Sequence, residues 1–142
     1  MGILNAGGGY YGNALQAASA RGYEKIVQIL LDKRADVNAQ GGEYGKALQA
    51  ASSQGHEKIV QILIDQGADV NAREGYYGNA LQAASARGHE MVVQILLDYG
   101  ADINAQSGRY GNALQAASAE GYERIVPILL DQGADVNAQG GE

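Results

Sequence analysis

The chain has 142 residues, a formal net charge of −6 and a pI near 4.8. Nucleic acid and anionic membrane surfaces attract basic proteins, so this balance disfavours both as partners. Cysteine is absent, which excludes disulfides, thiolate metal sites and a cysteine nucleophile together.

No apolar run approaches membrane-spanning length. The first residues, Met-Gly-Ile-Leu-Asn-Ala, show neither the basic stretch nor the apolar core of a secretory leader. Ala6 stands where a myristoylation signal requires Ser or Thr. The expectation is a cytoplasmic protein. Apolar residues make up 46%, much of it Ala, Leu, Ile and Val, and all the aromatic content is nine Tyr. A phenol seeks water or a hydrogen-bond partner, so these rings suit a surface better than a deep core. Twenty-one Gly against one Pro point to many turns that need positive φ.

In chain order, Leu4-Asn5-Ala6 lies 33 residues before Val37-Asn38-Ala39, so residues 1–10 read as the tail of an incomplete unit. The block YGNALQAAS then runs from Tyr11 and returns from Tyr44 (as YGKALQAAS), Tyr77 and Tyr110, again every 33 residues. Strict recurrence without insertion marks an array of stacked units. Their bounds are predicted at 11–43, 44–76, 77–109 and 110–142.

Within the first unit, Asn13 can cap a short helix over Ala14-Leu15-Gln16-Ala17-Ala18-Ser19-Ala20. Gly22 interrupts it as a residue able to take positive φ. A second helix is predicted from about Tyr23 to Asp32, with Glu24 near its positive end. Its apolar residues Ile26, Val27, Ile29, Leu30 and Leu31 form a band broad enough for contact on more than one side. Helices this short are marginal alone, so each needs its partner and the next unit. Arg34 then stands where the other copies have Gly67, Gly100 and Gly133. Ala35 to Ala39 is extended and polar, and Gly41-Gly42 turns the chain back.

This pattern, with Gly67 to Ala72, Gly100 to Ala105 and Gly133 to Ala138 closing the second helices and Gly55-His56 and Gly88-His89 between helices, resembles the ankyrin repeat. The resemblance covers nearly the whole chain. It implies an all-α solenoid of helix-turn-helix units with projecting β-hairpin-like finger loops, and binding of a protein partner in the groove of the array. Where the family opens its first helix with Thr-Pro-Leu-His, this chain has Asn-Ala-Leu-Gln. Asn13, Asn79 and Asn112 can cap, whereas Lys46 has no oxygen to do so. The ALQAAS variant and near-identity of the copies look like the sensor arrays of fungal NLR-like NACHT receptors, in which an NTPase domain precedes the repeats.

The last unit keeps an apolar second helix with Ile125, Val126, Ile128, Leu129 and Leu130, although arrays of this kind need a polar outer cap. Pro127 replaces Gln28, Gln61 and Gln94 and is expected to bend the helix start. End-to-end self-association through this last unit, as an array cut from a longer one, is the expectation that follows.

Sites for chemistry compete with structural explanations. His56 and His89 are equivalent, with Tyr23 and Tyr122 as counterparts; a metal pair or base is one reading, a backbone bond at the turn the favoured one. Asp36, Asp69, Asp102 and Asp135 could bind Ca²⁺ or work as acid and base, but recurrence in every unit favours bonds to loop backbone. Asp32, Asp65, Asp98 and Asp131 end second helices, unfavourably for the dipole, and the sequence offers no account of them. Ser19 and its copies have no His at helical spacing, and Gly7 to Gly9 lacks the Lys-Ser/Thr of a phosphate loop. No catalytic, cofactor or metal residue is assigned, and no enzyme activity is expected.

The copies differ mainly at one finger position, occupied by Tyr10, Glu43, Tyr76, Arg109 and Glu142. Nearby run Gln40, Arg73, Gln106, Gln139 and Gly41, Glu74, Ser107, Gly140. Two helix-end positions also vary: Arg21, Gln54, Arg87, Glu120 and Lys33, Gln66, Tyr99, Gln132. These look like the groove-lining positions of ankyrin repeats. Tyr and Arg are the residue types that carry interface hot spots. The candidate partner-binding residues are therefore Tyr10, Glu43, Arg73, Glu74, Tyr76, Arg109, Arg21, Gln54, Arg87, Glu120 and Tyr99. Neutral drift on a solvated surface is the competing explanation. The constant Tyr11, Tyr44, Tyr77 and Tyr110 suggest a packing ladder, and Gln16, Gln49, Gln82 and Gln115 a hydrogen-bond ladder between units. The functional expectation is a non-catalytic protein-binding module, the recognition segment of a larger receptor. A structural or self-associating array without a specific ligand is the alternative.

Overall fold

The computed structural model describes residues 9–139. Most of the tail expected over 1–10 therefore lies outside the described residues, as do Gly140 and Glu142. Among the described residues are eight helices in four pairs and no strand. They are α1 (Ala14–Arg21), α2 (Glu24–Asp32), α3 (Ala47–Gln54), α4 (Glu57–Asp65), α5 (Ala80–Arg87), α6 (Glu90–Asp98), α7 (Ala113–Glu120) and α8 (Ile125–Asp131). The loops between pairs carry only isolated antiparallel bridges, Gly41 with Gly45 and Ser107 with Gly111.

Three first helices start as their sequence requires. Asn13, Asn79 and Asn112 sit in extended backbone, and each Oδ1 accepts the N–H three residues on, at 2.8–2.9 Å. Lys46 adopts the same backbone with no side-chain cap bond. All four first helices end on a left-handed glycine, Gly22, Gly55, Gly88 and Gly121. Three of these glycines meet a second demand. A Cβ at Gly22 would lie 2.7 Å from His56 Cε1, one at Gly55 2.5 Å from His89 Nδ1, and one at Gly88 2.6 Å from Tyr122 Cε1. The ring of the following unit rests on bare backbone. From that seat His56 Nε2 donates to Ala20 O at 3.0 Å and His89 Nε2 to Ser53 O at 2.8 Å. The histidines thus act as clasps between units.

The first helices press closely on one another along the array, while the second helices meet only lightly. The array therefore curves with its first helices inside. Alanine makes the close approach possible: Ala50, Ala51, Ala83, Ala84, Ala116 and Ala117 are fully buried. Leu48, Leu81, Val60, Val93, Leu63, Leu96 and Leu129 fill the layer between the two helix rows. Each such side chain withdrawn from water stabilises by about 1.5–3 kcal/mol. Ser19, Ser52 and Ser85 are fully buried within the same stack.

Two amide ladders tie each pair to the next. Gln16 Nε2 donates to Gly45 O at 3.1 Å, Gln49 to Gly78 O at 3.4 Å and Gln82 to Gly111 O at 3.1 Å. At the opposite edge, Asn38, Asn71 and Asn104 donate to Gly67, Gly100 and Gly133 carbonyls and accept from the N–H of Asp69, Asp102 and Asp135. The loop aspartates each accept the N–H two residues on, the structural job expected of them. Helix-end Asp32, Asp65 and Asp98 accept the carboxamide of Gln28, Gln61 and Gln94, one turn back, at 3.1–3.3 Å. That bond accounts for an aspartate the dipole alone disfavours. In the last pair Pro127 removes this donor, and α8 begins at Ile125, two positions later than its counterparts. The start is delayed rather than bent within a full-length helix. A proline ring clashes with the carbonyl four residues back, which would belong to Glu123.

Arg34 has φ +70°, the one non-glycine with positive φ among the described residues. Its counterparts Gly67 and Gly100 have open space where a Cβ would be, so the cost at Arg34 is backbone strain alone, about 1 kcal/mol. Arg34→Gly is expected to raise the melting temperature by about 3 °C in a thermal scan; an unchanged or lower value would remove the argument.

Burial lowers the pKa of His89 below the ordinary 6.5, with its bond to Ser53 acting against that shift. The unfolded chain then takes the proton more readily than the folded one. The contribution is intact above about pH 6.5 and is lost as pH falls through that value towards the folded pKa. His89→Tyr, a ring the site accepts in Tyr122, should flatten the acid-side decline of unfolding free energy measured in urea. Parallel declines in the two proteins would count against this assignment.

A candidate partner-binding face

The fingers meet edge to edge. Glu43 N–H donates to Tyr10 O at 2.8 Å and Tyr76 N–H to Glu43 O at 2.9 Å, so the variable positions of the first three fingers align with one another. This closeness depends on glycine: a Cβ at Gly42 would stand 2.5 Å from Tyr10 O, and one at Gly12 2.6 Å from Gly41 C. A rail of constant backbone thus displays changing side chains at fixed spacing.

Beneath the fingers, each constant tyrosine engages the residue ending the first helix of its own unit. Tyr44 OH accepts from Gln54 Nε2 at 3.0 Å, and Tyr77 OH from Arg87 Nη1 at 3.3 Å. Tyr110 OH instead donates to Glu120 Oε2 at 2.5 Å. Arg21 bonds Tyr11, which raises its guanidinium pKa. A phenol both donates and accepts, so one ring serves a cation, an amide and a carboxylate in turn. Burial first, then its bond to Tyr10, pushes Tyr44 up to about 12. The bond to Glu120, then burial, takes Tyr110 to about 12. Both phenols keep their protons at neutral pH.

The rings also meet one another. Tyr10 stands edge-on to Tyr11 and Tyr44 at centroid distances of 5.2 and 5.9 Å, and Tyr76 to Tyr77 at 4.9 Å. The Arg109 guanidinium lies 5.7 Å from the Tyr76 centroid and donates to its phenol at 2.9 Å. Between the first three fingers opens a cleft of about 280 Å³ lined by Tyr10, Glu43, Tyr44, Tyr76, Tyr77 and Arg87.

Of the sequence candidates, Tyr10, Glu43, Tyr76 and Arg87 therefore converge. Arg109 joins them through Tyr76, and Arg21, Gln54 and Glu120 lie along the same row of helix ends. Arg73 is exposed in the loop ahead of the third finger. Tyr99 does not join the groove: positions 33, 66, 99 and 132 cap the C-termini of second helices, on the outer row. There Tyr99 OH accepts from Gln61 Nε2 at 2.7 Å. Glu74 turns inward, its carboxylate 3.4 Å from the Lys46 ammonium. Sequence reasoning placed Tyr44 and Tyr77 in a packing ladder and missed them as cleft walls. Their place directly after the variable finger residue was the available signal. Among the described residues no group of three or more His, Asp or Glu could hold a metal.

The Lys46–Glu74 contact explains two departures at once. The residues before α3 and α5 face the following finger: Asn79 Nδ2 donates to Ser107 Oγ at 3.3 Å, and Lys46 meets Glu74 in the equivalent place. Where a cation replaced the cap, a carboxylate replaced the small finger residue.

A family model described as Ankyrin repeats (3 copies) matches residues 3–74 and 74–140. Among curated proteins, the azaphilone pigments biosynthesis cluster protein L of Monascus ruber is 71% identical over 35 residues. That stretch is 25% of this chain and 7% of the relative, so the chain covers only a small part of that protein's length.

If position 46 and position 74 act as a pair, Lys46→Asn and Glu74→Ser should each destabilise, or gain little, alone. Together they should restore a capped helix beside a neutral finger, with a coupling of about 0.5–1 kcal/mol in a double-mutant cycle by urea unfolding. Additive effects would show that the two positions vary independently.

Proposed function

Because this chain belongs to the ankyrin-repeat family, we propose that it is a non-catalytic protein-binding module whose partner docks on the face made by fingers and first helices. One observation carries the reading. Tyr10, Glu43, Tyr76 and Arg87, at positions that differ between copies, meet Tyr44 and Tyr77 on one cleft, while the glutamine ladder that joins unit to unit stays constant. Tyrosine and arginine dominate that face, as they do the centres of protein interfaces. A role as the recognition segment of a larger, cytoplasmic NLR-like receptor in innate defence is part of the same proposal. It rests on the likeness of the ALQAAS units to fungal NACHT receptor arrays. The relative's match over 7% of its length is compatible with such units being one part of a long chain.

A second reading has its own support. Leu130 and Val136 are 39% and 69% exposed, and with Leu114 and Val126 they line an open pocket of about 210 Å³ beyond α7 and α8. Their side of the array is chemically the surface that α7 and α8 cover on the preceding pair, which suits end-to-end association of copies. Leu130→Lys tests this better than a change at Leu129, which is fully buried.

For the module itself, the immobilised chain is expected to retain a defined protein from extracts of its own cells. Tyr76→Ala or Arg109→Ala should lose that protein while melting within about 1 °C of the parent, as exposed substitutions do. Because Arg109 bonds Tyr76, the two losses should be less than additive. Retention by both variants would remove the groove from consideration, and sedimentation that shifts only with Leu130→Lys would favour the associating array.

A further inference from the structure

We propose that the cleft between the first three fingers receives a lysine or arginine side chain of the partner, with Glu43 as its counter-charge. This rests on the reading of the face as a protein-binding surface and adds the chemistry of what enters it.

Glu43 is the starting point. It is exposed at the middle finger, held in register between Tyr10 and Tyr76 by backbone bonds on both sides. The ion pairs among the described residues, Lys46 with Glu74 and Arg124 with Glu90, leave it without a cation. A carboxylate standing between tyrosine rings is a matched receptor for a positive group. The ring faces attract the cation, and the methylenes of a long basic side chain cover the aromatic edges.

The molecule already makes this contact with itself. Arg109, from the next finger along, rests on Tyr76 and bonds its phenol. Arg109 is not a wall of the cleft, so its guanidinium serves the Tyr76 ring outside it and leaves the Glu43 side open. Arg87 is the one cation in the lining, and it is engaged with the Tyr77 phenol at 3.3 Å. Its other N–H groups suit backbone carbonyls of the same incoming segment. The net charge of −6 draws a basic partner to the surface before any contact forms.

The test uses blocked amino acids as probes of the whole chain by ¹⁵N NMR titration: Nα-acetyl-arginine methylamide, its lysine analogue, the neutral citrulline isostere and Nα-acetyl-glutamate methylamide. The arginine and lysine probes should give saturable shifts at Glu43, Tyr44, Tyr76 and Tyr77. Citrulline should bind about fivefold more weakly, and Glu43→Gln should cost a similar factor for the cationic probes only. Glu57→Gln, on the opposite helix row, should leave all probes unchanged. Equal binding of citrulline and arginine, tighter binding of the glutamate probe at Arg87, or no saturable shift in the cleft would each overturn the proposal. None of these would restore partner retention lost with Tyr76→Ala, so failure here is separable from failure of the module reading.

Discussion

A helix of eight residues cannot hold itself together in water, and each of α1, α3 and α5 exists because the following unit completes it. Its buried glutamine reaches the next finger's carbonyl, and its terminal glycine lies under the next unit's ring. Its alanines admit the next helix at close range. All three contacts run in one direction along the chain and use atoms that every unit possesses. Stability is therefore a property of neighbours. Any side chain outside those contacts is released from the duty of holding the fold, and the finger residues and first-helix ends are the ones so released.

Freedom at those positions has a chemical limit, and tyrosine sets it. A finger base of phenylalanine would strand an arginine or glutamate at the helix end with only water as partner. A phenol accepts from Arg87 and Gln54 and donates to Glu120 without moving. The ladder expected to be mere packing is thus also the adaptor that lets charge vary from unit to unit. The absence of phenylalanine and tryptophan follows the same logic. The rings stand at a polar, half-exposed seam, where a hydroxyl is needed, and Leu, Ile and Val suffice for the narrow core between helix rows.

Much of this was legible because the repeat supplies its own controls. Asn13 against Lys46 announced a missing cap, and Gly67 against Arg34 announced a left-handed residue; both follow from local backbone chemistry, which a sequence carries directly. The glutamine and loop-aspartate roles were readable because a group recurring in every unit must meet something that also recurs. What escaped were pairings that appear once. Glu74 was assigned to a partner because its tie to Lys46 spans 28 positions and appears once. Tyr99 was assigned to the groove because helix-end residues look alike in sequence, and only the curvature separates inner row from outer. Asp32 looked unfavourable because a dipole argument weighs the helix end and overlooks the carboxamide one turn back.

The Lys46–Glu74 contact carries a consequence for the order of the array. Units joined only through shared atoms are interchangeable, and a gene of near-identical 33-residue segments could shuffle, duplicate or drop them without disturbing the stack. Both partners of this contact lie within the segment 44–76, as Asn79 and Ser107 lie within 77–109, so each segment carries its own matched pair. Whole segments can change order without parting lysine from glutamate. A breakpoint falling between the start of the first helix and the finger would separate them.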